Sequence, residues 1–162
     1  MSINGTPEQH SIYLGLYSRP NTSTYHWGLV LTDDTVPKLH HVNNDEGGWK
    51  YHVKAIAPNE SKNLIALISL GRMNNVSRVI EAMKSVPTDG RSSRTREESN
   101  CVTWVKDVLM LLHQEGELTL ATDIDNLEAQ AKSFADTFAD LAESGGGATI
   151  ITEERLRRQL GV

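Results

Sequence analysis

The chain has 162 residues, 38% of them hydrophobic, and a formal charge of −5. That length suits one domain with a sizeable core. The acidic balance argues against a general nucleic-acid binder, which needs a basic face, and the Arg91, Arg94, Arg96 cluster runs straight into Glu97 and Glu98. A single cysteine excludes an internal disulfide and a thiolate-rich zinc site.

Met1 to His10 is polar and has no apolar h-region, so no secretory signal is expected. No apolar run approaches the ~18 residues of a membrane span; the longest is Leu64 to Leu70. The expectation is a soluble cytoplasmic protein with a free thiol.

Ser11 to Tyr17 alternates Ile12, Leu14 and Leu16 with Tyr13, Gly15 and Tyr17, the pattern of a first strand. Arg19 to Ser23 reads as a loop, and His26 to Leu31 as a second strand. Asp33 to Pro37 has turn chemistry and leads into a third strand, Lys38 to Asn43. Gly47-Gly48 turns into a fourth, Trp49 to Ile56, with Trp49, Tyr51 and Val53 on one face. Leu64 to Leu70 is apolar on both faces and should lie inside the sheet. The short spacings between these strands predict an antiparallel meander.

Helices follow. Val76 to Val86 has Val79, Ile80 and Met83 at helical spacing. Pro87 to Ser99 is a polar linker with little to bury, expected to be irregular or mobile. Cys101 to Gln114 carries Val105, Val108, Leu109 and Leu112 and stops at Gly116. In Ile124 to Ala142, the residues Leu127, Ala131, Phe134, Phe138 and Leu141 repeat at four, three, four, three. This is the spacing of a helix on its own core; a homodimer seam through 124–142 is the less common use. Gly145 to Gly147 breaks the chain, and Thr152 caps a short final helix to Leu160.

Two short segments carry the chemistry. His26 opens an apolar strand, and Cys101 opens a strong amphipathic helix behind Asn100, a good cap. A helix N-terminus favours a thiolate, and its N–H groups can form part of an oxyanion hole. A strand-borne imidazole with such a thiol is the minimal equipment of a cysteine nucleophile and its base. The plain alternatives are a small buried hydrophobe at position 101 and a hydrogen-bonded surface histidine at position 26. His40 and His41 point to opposite faces of their strand, so only one can share a site with His26. That residue, or Asn43 on the face of His41, could orient the base. Trp49 and Tyr51 either pack the core or line a cleft. His26, His41 and His52 fit no short metal-ligand spacing, so neither metal nor cofactor is expected.

The order His26-Trp27, His41, Asn100-Cys101 resembles circularly permuted papain-like enzymes, which include the lecithin:retinol acyltransferase group and permuted relatives of NlpC-type peptidases. A closer resemblance is to a large uncharacterised fungal family. Its members read Tyr-His-Trp-Ala-Leu, a Tyr-His-Val-x-Asn strand, a Trp-x-Tyr strand, then Asn-Cys-x-x-Trp-Val. The corresponding residues here are Tyr25 to Leu29, His40 to Asn44, Trp49 to Tyr51, and Asn100 to Val105, with His40 standing where that family has tyrosine. The resemblance covers Ile12 to Glu115.

These readings together predict an α+β fold: an antiparallel sheet of about five strands packed against the Cys101 helix, with C-terminal helices. Residues 11–116 would form the permuted papain-like core and 117–162 a helical extension of the same domain. The implied function is a cysteine-dependent hydrolase or acyltransferase acting on an amide, ester or thioester of a small molecule, peptide or other acyl donor. Cys101, His26 and His41 would be catalytic, with Asn43, Asn100 and Trp49 as binding residues. The rival is a non-catalytic binding or scaffold protein that uses the helical C-terminal surface.

Overall fold

A computed structural model describes residues 3–19, 24–33, 36–56 and 63–162. The expected Arg19 to Ser23 loop lies outside these residues except for Arg19, and the Asp33 to Pro37 turn is described only at its two ends.

Among the described residues seven strands form one sheet. They are β1 (Ile3–Asn4), β2 (Ser11–Ser18), β3 (Tyr25–Leu31), β4 (Lys38–Asn43), β5 (Lys50–Ala55), β6 (Leu64–Arg72) and β7 (Ala148–Ile151). The helices are α1 (Val76–Ser85), α2 (Cys101–Gln114), α3 (Ile124–Leu141) and α4 (Glu153–Leu160), and a wide turn at Ala142–Gly146 ends α3. The strand order is β1-β7-β6-β2-β3-β4-β5.

This corrects the expectation of about five antiparallel strands. The sheet is mixed, because β7 pairs parallel to both β6 and β1. Nor is it a simple meander: β6 crosses back to pair with β2 rather than continuing from β5. The additional strands have two and four residues, too few to show an alternation, and a parallel pair needs a long crossover that short-range spacing does not reveal.

Alternation along the strands divides the interior in two. One face carries Ile12, Leu14, Leu16, Trp27, Leu29, Leu31 and Val42, packed against Cys101, Trp104, Val105, Val108 and Leu109 of α2. The other carries Tyr13, Val30, Leu39, Leu64 and Leu67. Val105, Val108, Leu109 and Leu112 are wholly buried, and each such side chain removed from water contributes about 1.5–3 kcal/mol. The α3 stripe is also taken up internally, since Leu127, Ala131 and Phe134 are buried in the first cluster. Among the described residues no helix is long and apolar enough to cross a membrane.

The segment before α2 is irregular, yet it is anchored. Arg91 and Glu98 form a β-bridge, and the buried Ser92 hydroxyl donates to Asp107 at 2.7 Å. Lys106, 2% exposed, extends from α2 to Glu97 at 2.8 Å and to Glu128 of α3 at 2.7 Å. The polar residues of this linker therefore hold it against α2 by side-chain bonds, which its lack of apolar residues does not announce.

Candidate active site at the end of the sheet

Cys101 is the first residue of α2. Asn100 is its cap: extended in backbone, it accepts from the Thr103 N–H through Oδ1 at 2.9 Å. Trp104, one turn later, packs on Tyr51 with ring centroids 5.6 Å apart, which seats this end of α2 on β5. The cysteine is 1% exposed, and its sulfur accepts from Nη2 of Arg19 at 3.0 Å.

The histidines sort by strand alternation. Leu29 opposes His40 across β3 and β4, so His41 faces Gly28 and lies diagonally from His26. His26 Nε2 and His41 Nδ1 are 2.7 Å apart, with ring planes at 80°. His52 lies opposite His41 on β5, and its Nε2 is buried without a partner. Tyr17 meets the His26 ring edge-on, and its hydroxyl is likewise buried and unpartnered. Burial, reinforced by His41 and by Arg19, lowers His26 to about 4. Burial and the facing His52 and Lys54 lower His41 to about 4, although Asp45 opposes them. Both imidazoles are thus neutral at pH 7, one donating and the other accepting in their shared bond.

His40 takes the other face. It is 2% exposed, and its Nδ1 lies 2.6 Å from the Tyr51 hydroxyl. Burial holds His40 at about 4 and raises Tyr51 to about 12.

The alternation also separates the pair from the thiol. His26 and His41 share the face of Val30 and Leu39, whereas Cys101 packs on the face of Trp27 and Val42. Among the described residues no hydrogen bond joins Cys101 Sγ to an imidazole. Arg19, just past the end of β2, connects the two: it donates to the sulfur, and its charge acts on His26. Nothing local marked this residue, which lies 82 positions before Cys101. A cation directly after a strand that pairs with the His26 strand is the sole signal it leaves.

The remaining expected residues lie apart from these contacts. Asn43 Oδ1 accepts from the Asp45 N–H at 3.4 Å in the β4–β5 turn. Trp49 is half-buried and packs on the first core cluster. The space above Gly28, which a helix or substrate could have used, is filled by Leu39 and His41: a Cβ there would clash with Leu39 Cδ1 and stand 3.2 Å from His41 Cβ. Among the described residues no group of three His, Cys, Asp or Glu is arranged to hold a metal ion.

A neutral hydrogen-bonded imidazole pair, a thiol at a capped helix N-terminus, and a guanidinium that donates to the sulfur and acts on His26 make up a thiol-centred constellation. The chain belongs to a family of unknown function, DUF6914, which it matches over residues 9–141. The match runs from the start of β2 to the end of α3 and leaves β1, β7 and α4 outside. No curated protein and no solved structure matches the chain.

Proposed function

We propose that the protein is a cysteine-dependent hydrolase or acyltransferase acting on an amide, ester or thioester. Cys101 Sγ attacks the carbonyl carbon, and the carbonyl π pair moves to oxygen. With His26 Nε2 engaged by His41, Nδ1 is the nitrogen left to take the thiol proton and return it to the leaving group. His41 fixes the tautomer and ring angle of His26. The N–H groups of the first turn of α2 stabilise the oxyanion. Expulsion of the leaving group gives a thioester on Cys101, which water or a second nucleophile then cleaves.

The observation that carries this reading is the 2.7 Å His26–His41 bond at the sheet end where Arg19 also engages the Cys101 sulfur. Arg19 holds the sulfur in the resting state, and His26 stands on the opposite face of the sheet, so proton transfer to His26 requires the strand ends around Arg19 to rearrange when substrate binds.

A second reading, a non-catalytic binding protein, is favoured by one observation: the thiol is 1% exposed, and among the described residues no imidazole bonds it. Incubation with a simple acyl thioester, followed by intact-mass analysis, separates the two. An adduct on the wild-type chain that is absent in Cys101→Ser and reduced in His26→Ala supports the enzyme. A wild-type chain that never gains mass supports the binding protein.

A further inference from the structure

Arg19 is placed to do more than hold a sulfur. Its Nη2 lies 3.0 Å from Cys101 Sγ in a half-buried setting. Arg78, Arg91, Lys106, Lys132 and Arg157 each pair with a carboxylate. Among the described residues no carboxylate lies within ion-pair distance of Arg19. The other charges acting on the histidine pair, Lys54 and Asp45, have opposite signs. Among the described residues the local excess is therefore the single positive charge of Arg19. A guanidinium presents five N–H donors in a planar fork, and the sulfur uses one of them. The remainder suits a carboxylate, which a fork binds through two parallel bonds.

We propose that Arg19 makes this site selective for acyl donors that carry a carboxylate close to the carbon under attack. This rests on the reading of Cys101 as the nucleophile. Nη2 stands 3.0 Å from the sulfur that would attack, so a carboxylate near the attacked carbon comes within reach of the fork as the C–S bond forms. The carboxylate takes no part in the bond changes. The sulfur gains the acyl carbon, the thiol proton passes to His26 and then to the leaving group, and the leaving group departs with it.

Two alkylating probes isolate this effect. Iodoacetate and iodoacetamide both react by forming an S–C bond and expelling iodide, with the thiol proton lost to solvent. They differ in carrying a carboxylate or an amide. Their rates on Cys101, the single cysteine, are read by intact mass at low ionic strength. Arg19→Gln should lower the iodoacetate-to-iodoacetamide rate ratio by about tenfold, the size of one charge-assisted contact. Arg19→Lys, which keeps the charge but loses the planar fork, should give a ratio between those of wild type and Arg19→Gln. An unchanged ratio in Arg19→Gln overturns the inference and leaves the proposed nucleophile standing. A ratio lost equally in both variants also overturns it, because charge is then not the cause. If neither reagent modifies the folded chain faster than the urea-unfolded one, the nucleophile reading itself fails and the inference falls with it.

Discussion

His26 and His41 meet through Nε2 and Nδ1 at 2.7 Å, diagonally across β3 and β4, on the face of the sheet away from α2. The contact needs both a strand register that sets His41 rather than His40 beside His26 and a glycine at position 28. If His41 orients the base, His41→Phe should lower the rate of Cys101 acylation on the order of tenfold or more with the fold intact, and His41→Gln should retain part of it. Acylation rates by mass, with circular dichroism as the fold control, check this.

Gly28→Ala tests the same contact from beneath. The new methyl would clash with Leu39 Cδ1 and stand 3.2 Å from His41 Cβ, so the buried Leu39 side chain must turn aside and His41 must give by a few tenths of an ångström. A destabilisation of about 1–2 kcal/mol is expected, as for other overpacked cores, together with a fall in acylation rate similar to that of His41→Phe. Urea unfolding and the acylation assay read the two effects separately.

The buried histidines make stability depend on pH. Unfolded, each takes up a proton near 6.5; folded, His26, His40 and His41 do so only at about 4. The unfolded chain thus binds more protons between these values. Stability is full above about pH 6.5 and falls as the pH drops toward 4. For His40, 2% exposed, the fall from 6.5 to about 4 corresponds to about 3 kcal/mol. Melting temperatures should drop between pH 7 and pH 4.5, and His40→Asn should flatten part of that drop.

Lys106 ties the pre-Cys101 segment to α2 and α3 through Glu97, Asp125 and Glu128. Lys106→Ala should cost about 2 kcal/mol, below the range for fully buried pairs, because its partners can be hydrated once the lysine is gone. Lys106→Met, which keeps the buried stem, should cost less. Midpoints of urea unfolding measure both.

Much of this fold can be read directly from residue patterns. The alternation of Ile12, Leu14 and Leu16 marks β2, and Asn100 with the apolar stripe from Val105 to Leu112 marks α2. Strand alternation also separates His40 from His41. The order of strands is not encoded locally. The pairing of β6 with β2, and of the four-residue β7 with β6, depends on long-range packing and leaves no periodicity behind. Of the candidate site, His26, His41 and Cys101 stand out by residue type and local setting. Arg19 does not, because its role comes from a contact 82 residues along the chain. The anchoring of the polar segment before Cys101 escapes notice for a related reason: composition reports what a segment can bury, not which side chains will bond it.

The most direct test of whether the fold activates Cys101 through His26 is the reactivity of the thiol itself. Because the chain has one cysteine, the rate of its modification by neutral iodoacetamide at pH 6 is read without ambiguity from intact mass. The folded chain should be modified faster than the urea-unfolded chain, and His26→Ala should lose that advantage. A folded chain that reacts more slowly than the unfolded one, with His26→Ala indistinguishable from wild type, would contradict activation and leave Cys101 as a buried structural thiol.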